Sequence, residues 1–149
     1  MTFPFRNILV PMDLDETAAV VLKLAEDLAR DHGGKVYLLH VVEPSEHALL
    51  QQKYRPWESG GGDVAAARKT ATEALEVTAR QRLGATPWEV LTRVGEPAET
   101  VLRVQKELAA DLVVMGTHGR HGLSQLVLGS VAQRVVRNSP CPVLTVRTG

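Results

Sequence analysis

Residues 116–130, reading GTHGRHGLSQLVLGS, carry the residue types and spacing best suited to holding an anion. Gly116, Gly119 and Gly129 let main-chain N–H groups approach a phosphate without interference from a Cβ. The segment follows the apolar run Leu112-Val113-Val114-Met115 and precedes the helical pattern VAQRVVR, so it joins a buried strand to a helix N-terminus. A helix beginning there supplies unpaired N–H groups and the positive end of its dipole. Arg120 and His121 can offset phosphate charge, and the Arg120 guanidinium can do so bidentately. Ser130 either caps the following helix or binds phosphate through its hydroxyl.

Other polar residues narrow the chemistry. No GxxxxGK[ST] stretch is present, so the phosphates lack the lysine of P-loop enzymes. Rapid phosphoryl transfer needs an oriented nucleophile and charge stabilisation at the γ-phosphate. Asp13 and Ser130 are candidates to position Mg²⁺, and no residue qualifies as a general base. Holding a nucleotide is therefore the first reading, with slow ATP hydrolysis or phosphotransfer at the same site as the alternative. His118 and His121 lie three apart but are set among glycines with no third ligand, which argues against zinc. His40 lies in an apolar run and reads as a hydrogen-bonded core histidine, whereas His32 and His47 have no supporting constellation. Cys141, between two prolines, reads as an inert buried thiol.

The elements that must position these groups alternate regularly. Strands are expected at residues 6–11, 35–42, 88–94, 111–115 and 142–146. Helices are expected at 16–32, 65–83, 97–108 and 130–138, the first with Ala19, Leu22, Leu24, Ala25 and Leu28 at helical spacing and ended by Gly33-Gly34. Ser59-Gly60-Gly61-Gly62-Asp63, which superficially resembles the pyrophosphatase loop of adenylating enzymes, sits too far from the first strand for that role. It reads as a flexible linker with Asp63 capping the helix after it. Near-continuous apolar strands alternating with helices imply βαβ units, an open parallel sheet with helices on both faces, and right-handed crossovers. In such a sheet the ligand crevice lies at the strand C-terminal ends, where Asp13, Val41-Val42 and the glycine segment would converge.

Composition sets the remaining bounds. A chain of 149 residues suits one domain, 1–149. Lys plus Arg and Asp plus Glu number 17 each, so no global field favours nucleic acid or an anionic membrane. The single cysteine excludes an internal disulfide, and no leader-like or membrane-length apolar segment is evident, so a cytoplasmic, unanchored protein is expected. Pro142 favours an edge position for the last strand, whose exposed edge at residues 143–146 suits pairing across a two-fold. Tyr54 and Trp57 in the 44–63 connection either add contact surface or pack over the core edge.

Taken together, Gly116-x2-Gly119-x9-Gly129-Ser130, the opening Asn7-Ile8-Leu9-Val10-Pro11-Met12-Asp13 and the closing Ser139-Pro140-Cys141-Pro142-Val143-Leu144 resemble the universal stress protein family across nearly the whole chain. The resemblance implies its ATP-binding branch and a Rossmann-like fold, similar to that of the adenine nucleotide alpha-hydrolases, with strand order 3-2-1-4-5. It implies that Pro11, Met12 and Asp13 line the adenosine pocket, with Asp13 on the ribose hydroxyls, and that the Val41 backbone reads the adenine edge. Met115 and Gly116 would border base and sugar, while Gly119, Arg120, Gly129, Ser130 and Val131 would surround the phosphates, and His118 would be a further nucleotide-binding residue. ATP, with or without Mg²⁺, is the implied ligand, and AMP or cyclic AMP are the alternatives. A homodimer through the last strand and an unidentified protein partner are also implied. Many members carry Ser where this chain has Asp15, which either caps the first helix or adds a carboxylate near the phosphates.

Overall fold

The computed structural model describes residues 4–14, 18–44, 60–117 and 128–147. Five parallel strands form one sheet: β1 (Asn7–Pro11), β2 (Lys35–Val42), β3 (Trp88–Val94), β4 (Leu112–Gly116) and β5 (Val143–Val146), in the order β3-β2-β1-β4-β5. Four helices accompany it: α1 (Ala18–His32), α2 (Gly60–Arg82), α3 (Pro97–Glu107) and α4 (Ser130–Asn138). This is the expected α/β architecture and strand order.

Side-chain alternation along the strands divides the interior into two layers. Ile8, Val10, Val36 and Leu38 face one way, onto Val21, Leu22, Ala25 and Ala29 of α1 and Leu75 and Ala79 of α2. Leu9, Leu39, Val113 and Met115 face the other way, onto Ala98, Val101 and Val104 of α3 and Ala132 and Val135 of α4. Within α1, Leu22 and Ala25 are buried as expected and Leu24 and Leu28 flank the core; Val21 and Ala29 complete the stripe. Lys23–Asp27 and Glu26–Arg30 pairs occupy its outer side.

The strand beginnings are pinned by specific contacts. Gly33 adopts φ +67°, and the Gly34 amide returns to the Ala29 carbonyl at 2.7 Å, a Schellman stop that ends α1 as expected. The Asp111 carboxylate accepts the Arg6 and Asn7 amides at 2.9 and 3.1 Å, so Asp111 anchors β1 instead of opening β4. At the other end β4 gains Gly116, which pairs with Val146.

One expectation is corrected here. Gly60 to Asp63 form the first turn of α2, so this stretch is not a linker and Asp63 is a helical residue, not the cap. Each glycine costs a helix about 1 kcal/mol relative to alanine, but extending a helix already nucleated at Ala65-Ala66-Ala67 adds a hydrogen bond per residue.

Candidate functional site

The strand order reverses between β1 and β4, because the chain runs outward to β3 on one side and to β5 on the other. Leu9 pairs with Val113, and continuing that register sets Pro11 level with Met115. The Pro11, Met12 and Asp13 stretch and the Met115, Gly116 and Thr117 stretch thus leave the sheet side by side at its C-terminal edge. Pro11 also faces Leu39 of β2. Val41, two residues further along β2, is partly buried and packs in the same layer as Met115. Asp13 is partly exposed at this edge.

Met12 is held by β2 on both sides of its backbone. Its amide donates to the Leu39 carbonyl at 2.9 Å, and its carbonyl accepts from Nδ1 of His40 at 3.1 Å. His40 is buried, so the expectation of a hydrogen-bonded core histidine holds.

The start of α4 lies at the same edge of the sheet. Its N-cap is Gly129, not Ser130, and no side-chain hydrogen bond closes the cap. This corrects the capping reading of Ser130, which is an exposed first helical residue. The buried Gly129 takes the cap position because its amide donates to the Thr117 carbonyl at 2.7 Å, while the Thr117 amide donates to the Val146 carbonyl at 3.0 Å. The two ends of the glycine-rich segment therefore meet above β4, and the first turn of α4 begins there at a cap residue that has no side chain of its own, with its positive dipole end at this edge of the sheet. Val131 is partly buried against the core layer of α3 and α4.

Side chains hold α4 in this place. Gln133 Nε2 donates to the Leu128 carbonyl at 2.7 Å, and Arg134 pairs with Glu96 at 2.9 Å. Glu96 is the N-cap of α3 and accepts the Ala98 and Glu99 amides at 3.2 and 2.8 Å. Burial pushes the Glu96 carboxyl up, but those amides and the Arg134 guanidinium outweigh it and hold the group below the usual glutamate range.

His118, Gly119, Arg120 and His121 lie outside the described residues, as do Asp15, His47, Tyr54 and Trp57. Among the described residues no cluster of three or more His, Cys, Asp or Glu could hold a metal. Cys141 is half-buried instead of buried, and Gln105, Ser139 and Cys141 form a polar contact between α3 and the approach to β5. Away from the site, His32 accepts the Phe5 amide through Nδ1 at 3.1 Å, a partner that its sequence context did not signal.

The model of the universal stress protein family matches residues 4–147. The chain belongs to the universal stress protein family. A universal stress protein of Thermus aquaticus is 34% identical over 143 residues, covering 96% of this chain and 99% of the relative. Universal stress protein MJ0531 of Methanocaldococcus jannaschii is 31% identical over 147 residues, covering 96% and 82%. The solved structure of MJ0577 superposes with a TM-score of 0.82 at 25% identity over 97% of both chains. A universal stress protein in complex with cAMP superposes at TM-score 0.64 and 23% identity over 97% of this chain and 98% of that one, which speaks to the fold. No helix among the described residues of this universal stress protein is long and apolar enough to cross a membrane.

Proposed function

We propose that this chain is an adenine nucleotide-binding module whose preferred ligand is ATP, held at the crevice between β1 and β4. The Thr117–Gly129 hydrogen bond carries the reading, because it brings a glycine-lined strand end against the start of α4, where the cap residue is itself a glycine. Such an arrangement offers backbone donors and a positive dipole to phosphate oxygens. Pro11, Met12 and Asp13 would then line the adenosine half, with Val41 at the adenine edge. Met115 and Gly116 would border base and sugar. Gly129, Ser130 and Val131, with His118, Gly119 and Arg120, would surround the phosphates, and Asp13 and Ser130 are the residues to hold Mg²⁺ if it accompanies ATP.

The module works as a single domain over residues 1–149, in the cytoplasm, and signals its occupancy to a protein partner. It pairs as a homodimer along Val143–Val146, where β5 is the last strand of the sheet and Leu144 is exposed. Light scattering giving a monomer mass at micromolar concentration would remove the dimer.

Calorimetry with ATP, AMP and cyclic AMP tests the ligand. ATP is expected to bind most tightly; a clearly tighter monophosphate would displace it as the preferred ligand. Incubation with ATP and Mg²⁺ separates holding from hydrolysis, since sustained turnover abolished by Asp13→Ala would defeat a pure binding role.

A further inference from the structure

The turn after β1 is fastened at Met12 by two bonds of different kinds. The amide bond to Leu39 continues the parallel ladder one step past β1. The carbonyl is taken by the imidazole of His40. A side-chain donor satisfies this carbonyl while leaving the backbone free to turn off the sheet at Asp13. A carbonyl only accepts, so Nδ1 of His40 carries the hydrogen.

His40 is 6% exposed, in a strand whose neighbouring core positions on the same face are Val36 and Leu38. It lies opposite Thr92 in the β2–β3 register. The Thr92 hydroxyl is 3.1 Å from that of Thr72 on α2, and Arg68 on α2 donates to the Thr92 carbonyl at 3.2 Å. A small polar layer thus borders the apolar core beneath α2, and His40 is the member that reaches the Met12 turn. A leucine would fill such an apolar-strand position without the need to satisfy a polar ring, so the donor itself has a use.

We propose that His40 is a positioning residue for nucleotide binding: its Nδ1–H holds the Met12 carbonyl and thereby sets the Met12-Asp13 turn against which the adenosine half of the ligand rests. This rests on the nucleotide reading above. His40 does not touch the ligand; it acts through Met12. The phosphate half, built from β4 and the start of α4, is independent of it.

Three proteins test this: the unaltered chain, His40→Leu, and His40→Asn, whose Nδ2 can donate from nearly the position of the histidine Nδ1. Calorimetry with adenosine and with ATP, and amide exchange at Asp13 and Leu14, are read on each. His40→Leu is expected to weaken adenosine and ATP by the same, roughly tenfold, factor, the effect of one lost hydrogen bond. Exchange at Asp13 should quicken while that of Val113 and Val114 stays slow. His40→Asn should return both readouts most of the way. Full affinity in His40→Leu, or no rescue by asparagine, overturns the role. Should His40→Leu fail to fold, the imidazole ¹⁵N shifts of the unaltered protein still decide, because a ring protonated only at Nε2 cannot donate to Met12. If the unaltered chain binds neither adenosine nor ATP, the nucleotide reading falls and takes this role with it. Binding that is indifferent to His40 overturns the role alone.

Discussion

The carbonyl of Thr117 accepts the amide of Gly129 at 2.7 Å, tying the end of β4 to the start of α4. Gly129 has φ −60° and ψ 157°, a conformation open to alanine and to proline alike. Gly129→Ala keeps the amide and adds a methyl; Gly129→Pro also deletes the donor. ATP affinity is expected to fall further in the proline variant, by about tenfold beyond the alanine variant. Calorimetry on the pair checks it, and equal affinities would show that this bond does not shape the site.

Glu96 links the cap of α3 to Arg134 of α4, so one carboxylate supports two helix positions. Glu96→Ala should cost about 0.5–2 kcal/mol, mostly through the lost cap. The side chains of Glu96 and Arg134 are 43% and 52% exposed, so solvent screening leaves their ion pair only about 0–1 kcal/mol of that. Although burial raises it, the folded carboxyl is held below the usual value by its bonds, so its stabilisation is complete above the ordinary glutamate range near about 4.3. It is lost as the pH falls through the lower folded value. Urea unfolding of the unaltered protein and of Glu96→Gln should therefore differ at neutral pH and converge in acid. A gap that persists unchanged into strong acid would rule out a role for the charge.

Local signals and long-range contacts differ in how far they could be read from the residues. β2 and β3 fall at the expected bounds because β2 is a near-continuous apolar run between Gly34 and Pro44, while β3 spaces Trp88, Val90 and Val94 on one side of a strand closed by Gly95, and such local patterns need no partner to be seen. The strand order came with the family resemblance and not with periodicity. Contacts that join distant positions left no local mark: Asp111 on Arg6 and Asn7, His40 on Met12, and Gly129 on Thr117. Ser130 shows the limit clearly. Cap preference favours serine over glycine, yet the amide that must reach Thr117 belongs to Gly129, and that tertiary bond decides where α4 begins. Glycine at 60–62 misled for the opposite reason, since a local preference for breaking a helix yielded to propagation from the alanines that follow.

Asp111 satisfies two backbone amides at the start of β1 and, through its own amide, donates to the Asn7 carbonyl at 3.0 Å. Asp111→Ala leaves both donors without their carboxylate. The Arg6 amide is exposed and water can replace the contact, but Asn7 is partly buried. A loss of about 1–3 kcal/mol is expected, carried chiefly by Asn7. Asp111→Asn retains one acceptor oxygen and should recover part of it. Thermal unfolding checks the order; an asparagine variant as weak as the alanine variant would point to charge instead of bond count.

Gly33 and Gly34 stand together at the end of α1 but resist substitution for different reasons. Gly33 has φ +67°, and an added Cβ would find its nearest neighbour, Arg6 Nη1, at 4.0 Å, so only backbone strain opposes alanine there. Gly34 has no such φ, but its Cβ would lie 2.5 Å from the Phe5 carbonyl oxygen and 3.2 Å from that of Arg6. Neither atom can swing away, because both belong to the backbone entering β1, and the Arg6 carbonyl already accepts the Lys35 amide at 2.8 Å. Gly33→Ala is expected to cost about 1–2 kcal/mol. Gly34→Ala should cost more, about 2–3 kcal/mol or beyond, since the starts of β1 and β2 must separate to admit the methyl. Both positions lie at the strand N-terminal end, away from Met12 and Gly129, so whatever folded protein remains should bind ATP with unchanged affinity. Urea unfolding and calorimetry on the two variants test both halves. Equal stability losses would contradict the steric account, and a weakened ATP affinity would mean that strain at this end of the sheet reaches the site.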